Sequence, residues 1–126
     1  MKRSLLRLLI ALIEDGKSIA AYGAPAKGNT LLNYCGIGRD FISFTVDRNV
    51  HKQGLLLPGT RIPVLAPDEI SRRRPDYVLI LPWNLRDEIT AQLAPIREWG
   101  GQFIIPVPEP VVLDGNTSSS RPRAAV

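Results

Sequence analysis

Tyr22-Gly23-Ala24-Pro25-Ala26-Lys27-Gly28-Asn29-Thr30 is the stretch on which the fold hinges. Before it, Ser18-Ile19-Ala20-Ala21-Tyr22 is an apolar run of strand length, closed by Gly23. After it, Ala26 to Cys35 reads as a helix, with Leu31, Leu32 and Cys35 on one side and Gly36 and Gly38 to stop it. The order is therefore strand, small-residue turn, helix.

The alternation continues downstream. Phe41-Ile42-Ser43-Phe44-Thr45-Val46, rich in aromatic and β-branched residues, reads as a second strand ending at Asp47. A loop follows from Arg48 to about Arg61, with turn signals at Gly54 and Pro58-Gly59. Pro67-Asp68-Glu69 opens a short helix that Pro75 stops. Tyr77-Val78-Leu79-Ile80-Leu81 has the near-continuous apolar character of a strand covered on both faces. Asn84 is placed to cap the next helix, in which Leu85, Ile89 and Leu93 step by four and which Pro95 kinks or ends. Gly100-Gly101 leads into a last strand, Phe103-Ile104-Ile105, and Pro106, Pro108 and Pro110 oppose its extension.

This pattern predicts an α/β chain, a Rossmann-like three-layer sandwich with a mainly parallel sheet of about four to five strands. The domain should occupy residues 17–110. Ahead of it, residues 1–16 read as an amphipathic helix packing on the domain through Leu5, Leu8, Leu9, Leu12 and Ile13. Residues 111–126 read as a disordered polar tail, in which Asn116-Thr117-Ser118 matches a glycosylation sequon by chance.

Composition narrows the function. A chain of 126 residues, 44% apolar and 22% charged, is expected to be one globular domain. One cysteine and one histidine exclude an intrachain disulfide and a Cys/His zinc cluster, which favours a reducing, cytoplasmic setting. The net charge of +4 owes much to Arg72-Arg73-Arg74 and to Arg121 and Arg123, a local excess that reads as a solvated face and a tail, so nucleic acid is not expected as a partner. Arg7 and Glu14-Asp15 break up the first helix as a secretory signal, and its apolar run is far short of the ~20 residues that span a bilayer, so no membrane partner is expected.

In a sheet of this kind ligands bind beyond the carboxyl ends of the strands, which favours Gly23 to Thr30, Asp47 to Gln53, Pro82 to Asn84 and the segment after Ile105. At the first turn, free N–H groups and the helix dipole make an anion site, Lys27 adds charge, and Asn29 and Thr30 add hydrogen-bonding side chains. Gly23 and Gly28 have the spacing of a P-loop, but Asn29 stands at the lysine position, so that reading fails. The dinucleotide fingerprint fails in part: Pro25 replaces the middle glycine, while Asp47 lies about 20 residues on, where an acid grips a ribose. A diphosphate-bearing ligand fits; so does a tight turn with ordinary capping. Trp83 and Asn84 either meet a base and a hydroxyl or cover the sheet end and cap a helix. His51 and Lys52 either reach a phosphate or are solvated, Cys35 reads as a small buried residue, and Asp87-Glu88 complement a helix dipole. No nucleophile paired with a base emerges, so the residues alone describe a binding module.

Four separated blocks resemble the carboxyl-terminal domain of sugar C-methyltransferases. They are Ala21 to Tyr34; Val46-Asp47-Arg48-Asn49 with Lys52-Gln53-Gly54; Leu57-Pro58-Gly59-Thr60; and Pro75-Asp76-Tyr77 continuing to Leu81-Pro82-Trp83-Asn84. Together they lie in order across about residues 17–109, with Val50 where proline would be expected. Full-length members of that family are S-adenosylmethionine-dependent and methylate a carbon of a nucleotide-linked keto-sugar, using an amino-terminal zinc segment and a central methyl-donor domain. The resemblance therefore implies a substrate-binding domain for a nucleotide diphosphate-sugar, with no cofactor bound by this chain and no catalysis by it alone. Such methylation needs a base to take the proton beside the keto group so that an enolate attacks the methyl, and nothing here supplies that base beside a donor pocket. The resemblance makes Gly23, Ala24, Lys27, Gly28, Asn29, Thr30 and Asn33 candidates around the ligand, with Asp47, Lys52, Trp83 and Asn84 after them. No catalytic residue and no metal ligand is expected. Two alternatives stand beside this: a free-standing nucleotide- or dinucleotide-binding protein, supported by Asp47 and opposed by Pro25, and a docking module for a methyltransferase domain or subunit, whose cue is the helix from Leu5 to Ile13.

Overall fold

Five parallel strands carry the sheet, and the apolar residues of each alternate between its two faces. The computed structural model describes residues 2–114 and 123–124. Its order is α1 (Lys2–Glu14), β1 (Ile19–Tyr22), α2 (Ala26–Cys35), β2 (Thr45–Val46), β3 (Val64–Leu65), α3 (Glu69–Arg73), β4 (Tyr77–Ile80), α4 (Arg86–Gln92), β5 (Gln102–Ile105), β6 (Val111–Asp114) and β7 (Arg123–Ala124). A 3-10 turn, Trp83–Leu85, runs into α4, and another, Ala94–Trp99, follows it. The strands lie in the order β3-β2-β1-β4-β5-β6-β7, with β6 and β7 antiparallel to their neighbours.

Two apolar layers cover this sheet. Ile19, Ala21, Leu79, Leu81 and Ile104 face Leu5, Leu8 and Leu9 of α1 and Leu31, Leu32 and Cys35 of α2. The intervening Ala20, Tyr22, Val78, Ile80, Phe103 and Ile105 face Ile70 of α3, Ile89 of α4 and Ile96. The period-two alternation along each strand sends one set of side chains to each face, so the strands must be apolar throughout. The three-layer α/β sandwich and the preceding helix expected from the pattern are both present.

The details differ in places. The sheet has seven strands rather than four to five, because two-residue β3 lies just beyond the Gly/Pro-rich loop and the chain turns back after the prolines. That return places Val112 and Leu113 in the core as part of β6, so the polar-tail expectation is corrected for residues 111–114. The sequon and Arg121 lie outside the described residues. The expected strand from Phe41 shrinks to Thr45–Val46, since the amides of Phe41 and Ile42 turn back to the Gly38 carbonyl at 3.1 and 3.0 Å. Asn84 is not a cap: it sits inside the 3-10 turn, and α4 starts without a side-chain cap. On α1 the stripe Leu5, Leu8 and Leu9 is buried, whereas Ile13 is exposed.

Asn33 ties α2 to the second loop. Its Nδ2 donates to the Asn29 carbonyl at 2.9 Å and to the Pro58 carbonyl at 3.1 Å. Gly59, at φ +83°, lies so close that a Cβ there would collide with Asn33 Oδ1. Gly28 is set equally tightly: a Cβ on it would stand 2.8 Å from Leu81 Cβ, so α2 rests directly on the chain leaving β4.

Gly28→Ala should therefore lower stability in chemical denaturation by about 1–2 kcal/mol net, an overpacking cost in the upper part of the ~1–3 kcal/mol range less the ~1 kcal/mol that alanine gains in helix propensity. An unchanged or raised midpoint would contradict the contact. Gly59→Ala should be less destabilising in an Asn33→Ala background than in the native one, leaving the ~1–2 kcal/mol of the left-handed backbone. Simple additivity of the two would contradict the packing of Gly59 on Asn33.

Candidate functional site

The strand order reverses between β1 and β4, and the carboxyl ends of these two strands open a crevice. Gly23 closes β1 at φ +95°, where a Cβ would lie 2.8 Å from Pro82 Cδ. Only glycine meets both demands, the left-handed backbone and the close approach. The rest of the turn is held from the side of β2. Thr45 Oγ1 donates to the Gly23 carbonyl at 2.7 Å, and the Gly23 amide donates to the Val46 carbonyl at 2.6 Å. Asp47 Oδ2 accepts the Ala24 amide at 2.9 Å while its Oδ1 accepts the Asn49 amide at 2.8 Å. Lys52 Nζ donates to the Ala24 carbonyl at 3.0 Å, and Gln53 Nε2 donates to the Asp47 carbonyl at 2.8 Å.

Held this way, the turn presents the start of α2 outward. Pro25 occupies the N-cap position with extended backbone and no side-chain cap. The Asn29 amide is bonded to the Pro25 carbonyl at 3.0 Å, so the amides of Ala26, Lys27 and Gly28 precede the first helical hydrogen bond. Lys27 is exposed and makes no hydrogen bond or ion pair among the described residues. Thr30, a turn further on, is also exposed.

Two depressions flank this turn. An inner cleft of about 310 Å³ lies between Gly23-Ala24-Pro25 and α4, with Asp47, Arg48 and Lys52 along one side and Leu85, Glu88, Ile89 and Gln92 along the other. Tyr22 stands at its floor, buried, next to Pro82. Burial pushes the Tyr22 hydroxyl above its ordinary value; the nearby Arg48 charge opposes this, the Asp47 charge adds to it, and a hydrogen bond with Gln92 again lowers it. An outer groove of about 440 Å³, more open, is lined by Ala26, Lys27, Thr30, Leu31, Tyr34 and Trp83. Trp83 packs against both apolar layers, and Lys2 Nζ sits 5.0 Å from the centre of the Tyr34 ring.

The candidate residues thus divide. Gly23, Ala24, Asp47 and Lys52 meet at the inner cleft, and Lys27, Thr30 and Trp83 meet at the outer groove. Gly28 and Asn33 serve packing, as described above. Asn29 buries its Oδ1 without a partner, and nothing in the structure explains that oxygen. Asn84 is exposed and lines neither depression. Cys35 is buried, which raises its thiol above the ordinary value and fits a packing role. The sequence did not single out Tyr22, Arg48 or Gln92 as site residues, although Tyr22 and Arg48 lie in favoured segments, and Glu88 was read only as complementing a helix dipole. A signal was present in the step of four from Leu85 to Ile89: Leu85, at the end of the 3-10 turn before α4, is 43% exposed and lines the cleft with Ile89.

Among the described residues no group of three His, Cys, Asp or Glu side chains is arranged to hold a metal ion. No helix there is long and apolar enough to cross a membrane.

Comparison with known proteins matches residues 1–108 to the C-methyltransferase C-terminal domain family. The chain is 42% identical over 118 residues to the C-methyltransferase NovU of Streptomyces niveus, a match covering 94% of this chain and 28% of that protein. It is also similar to the crystal structure of UDP-D-quinovosamine 4-dehydrogenase from Vibrio fischeri, with a TM-score of 0.49 and 18% identity over 70% of this chain and 75% of that one. With nearly all its described residues inside the family match, this chain belongs to the C-methyltransferase C-terminal domain family.

Proposed function

We propose that this chain is the substrate-binding domain of an S-adenosylmethionine-dependent sugar C-methyltransferase, holding a nucleotide diphosphate-sugar while a separate domain or subunit performs the methylation. The observation that carries this reading is the start of α2: three first-turn amides and an unpaired Lys27, presented at the crevice between β1 and β4 by a turn fastened from β2. Such a terminus rewards a doubly charged diphosphate through oriented N–H groups and the positive end of the dipole.

The same features argue against a catalytic role for this chain. Asp47, the carboxylate nearest the turn, already accepts a backbone amide on each oxygen, which makes it a fastener rather than a base or a ribose grip. S-Adenosylmethionine fits the turn poorly, because its sulfonium cation would face Lys27 and the positive end of α2. A dinucleotide-binding protein is disfavoured by Pro25 and by the same engagement of Asp47. The cue for the docking alternative is divided, since Leu5, Leu8 and Leu9 of α1 are spent on the core while Ile10 and Ile13 stay exposed.

Calorimetric titration of the chain with a thymidine diphosphate-linked hexose should give saturable 1:1 binding that weakens as salt rises. Parallel titrations with S-adenosylmethionine and NAD should give none. Tight binding of S-adenosylmethionine would overturn the assignment. Lys27→Met should weaken the sugar nucleotide about tenfold, the worth of one charged hydrogen bond, without changing the thermal midpoint. Unchanged affinity would remove Lys27 from the site.

A further inference from the structure

The turn has an inner and an outer side, and the two differ in chemistry. Pro25 borders the inner cleft, whereas Ala26 and Lys27 border the outer groove. A diphosphate seated on the first turn of α2 would therefore direct one end of the ligand to each side. We infer that the nucleoside end enters the inner cleft, where Gln92 and Tyr22 meet the edge of the base, and that the sugar end lies in the outer groove over Trp83 and Tyr34. This rests on the nucleotide-sugar reading and adds to it the direction of the bound ligand and the residues that select its base.

The inner cleft has what a base needs. Leu85, at the end of the 3-10 turn, and Ile89 of α4 form an apolar wall for the face of a flat ring. The Arg48 guanidinium lies across the cleft from them and can stack on such a ring. Gln92 offers a donor and an acceptor on one planar amide, and it lines the same cleft as buried Tyr22. An amide so placed distinguishes base edges by leaving a mismatched group unpaired, which is a strong source of selectivity.

A sugar is better served on the other side. Trp83 and Tyr34 line the groove with aromatic surface for C–H groups, and Thr30 and Lys27 offer hydrogen bonds to hydroxyls. Accessibility points the same way. Tyr34 is 66% exposed and the groove is open, so a sugar carbon held there stays within reach of a methyl donor on another domain. A sugar in the inner cleft would be screened by α4 and the β1–α2 turn.

Amide-shift mapping with two ligands tests this on the intact chain. Thymidine diphosphate, which has no hexose, should shift Arg48, Leu85, Ile89 and Gln92 and leave Thr30, Tyr34 and Trp83 in place. Thymidine diphosphate-glucose should shift both sets. Gln92→Leu should weaken both ligands by the same factor, about tenfold, whereas Thr30→Val with Tyr34→Ala should weaken only the sugar-bearing one. Gln92, Thr30 and Tyr34 are all exposed, so thermal melts should show folded variants. If the hexose ligand binds but thymidine diphosphate shifts the outer set, the direction is reversed and the nucleotide-sugar reading survives. If neither ligand shifts either set, both are overturned.

Discussion

The Asp47 carboxylate bonded to the Ala24 amide is the contact on which the rest of the site depends. A turn containing glycine, alanine and proline has almost no side-chain chemistry with which to hold itself. It is held by its neighbour instead: Thr45, Val46 and Asp47 come from the end of β2, and Lys52 reaches back from the following loop. Register makes this possible, because Tyr22 pairs with Val46 and the two strands end side by side. The amide of Ala24 and the carbonyls of Gly23 and Ala24 are satisfied within the protein, while the amides of Ala26, Lys27 and Gly28 have no partner inside the helix. A rigid frame around free donors is what an anion site requires, since a preorganised loop avoids the ordering cost of binding.

The second constraint is proximity. Gly23 lies against Pro82, Gly28 against Leu81 and Gly59 against Asn33, and in each case a Cβ would stand too near its neighbour. Three of the four sequence blocks that carry the family resemblance supply these partners, and the Asp47–Lys52 block supplies the clamp. Much of what makes the family recognisable therefore maintains the shape of one turn. This explains why residues such as Asp47, Asn33 and Gly28 look functional in sequence while their side chains or surfaces are engaged by the protein itself.

The layered fold was legible because buried parallel strands are apolar on both faces, as in Tyr77–Ile80, and because proline and glycine mark the joints. Short strands were not legible: β3 has two residues, too few for any pattern, and β6 was hidden behind three prolines. At the site, the turn was legible from its small residues. Arg48, Gln92 and Tyr22 were not, since their value comes from α4 packing opposite the loop after β2, a juxtaposition set by strand order rather than by neighbours in sequence. Leu85 shows the limit most directly. Its spacing with Ile89 gives the helix face, but not which part of that face the sheet leaves uncovered.

Under the proposed function the chain contributes a positioned ligand to a reaction performed by a separate domain or subunit, and the contribution is concentrated in the first turn of α2. The most direct test is a crystal structure of the chain soaked or co-crystallised with a thymidine diphosphate-linked hexose. The account predicts diphosphate oxygens within hydrogen-bonding distance of the Ala26, Lys27 and Gly28 amides, with the Asp47–Ala24 contact unbroken. A diphosphate bound away from that turn, or an Asp47 released from Ala24 to grip the ligand, would contradict it.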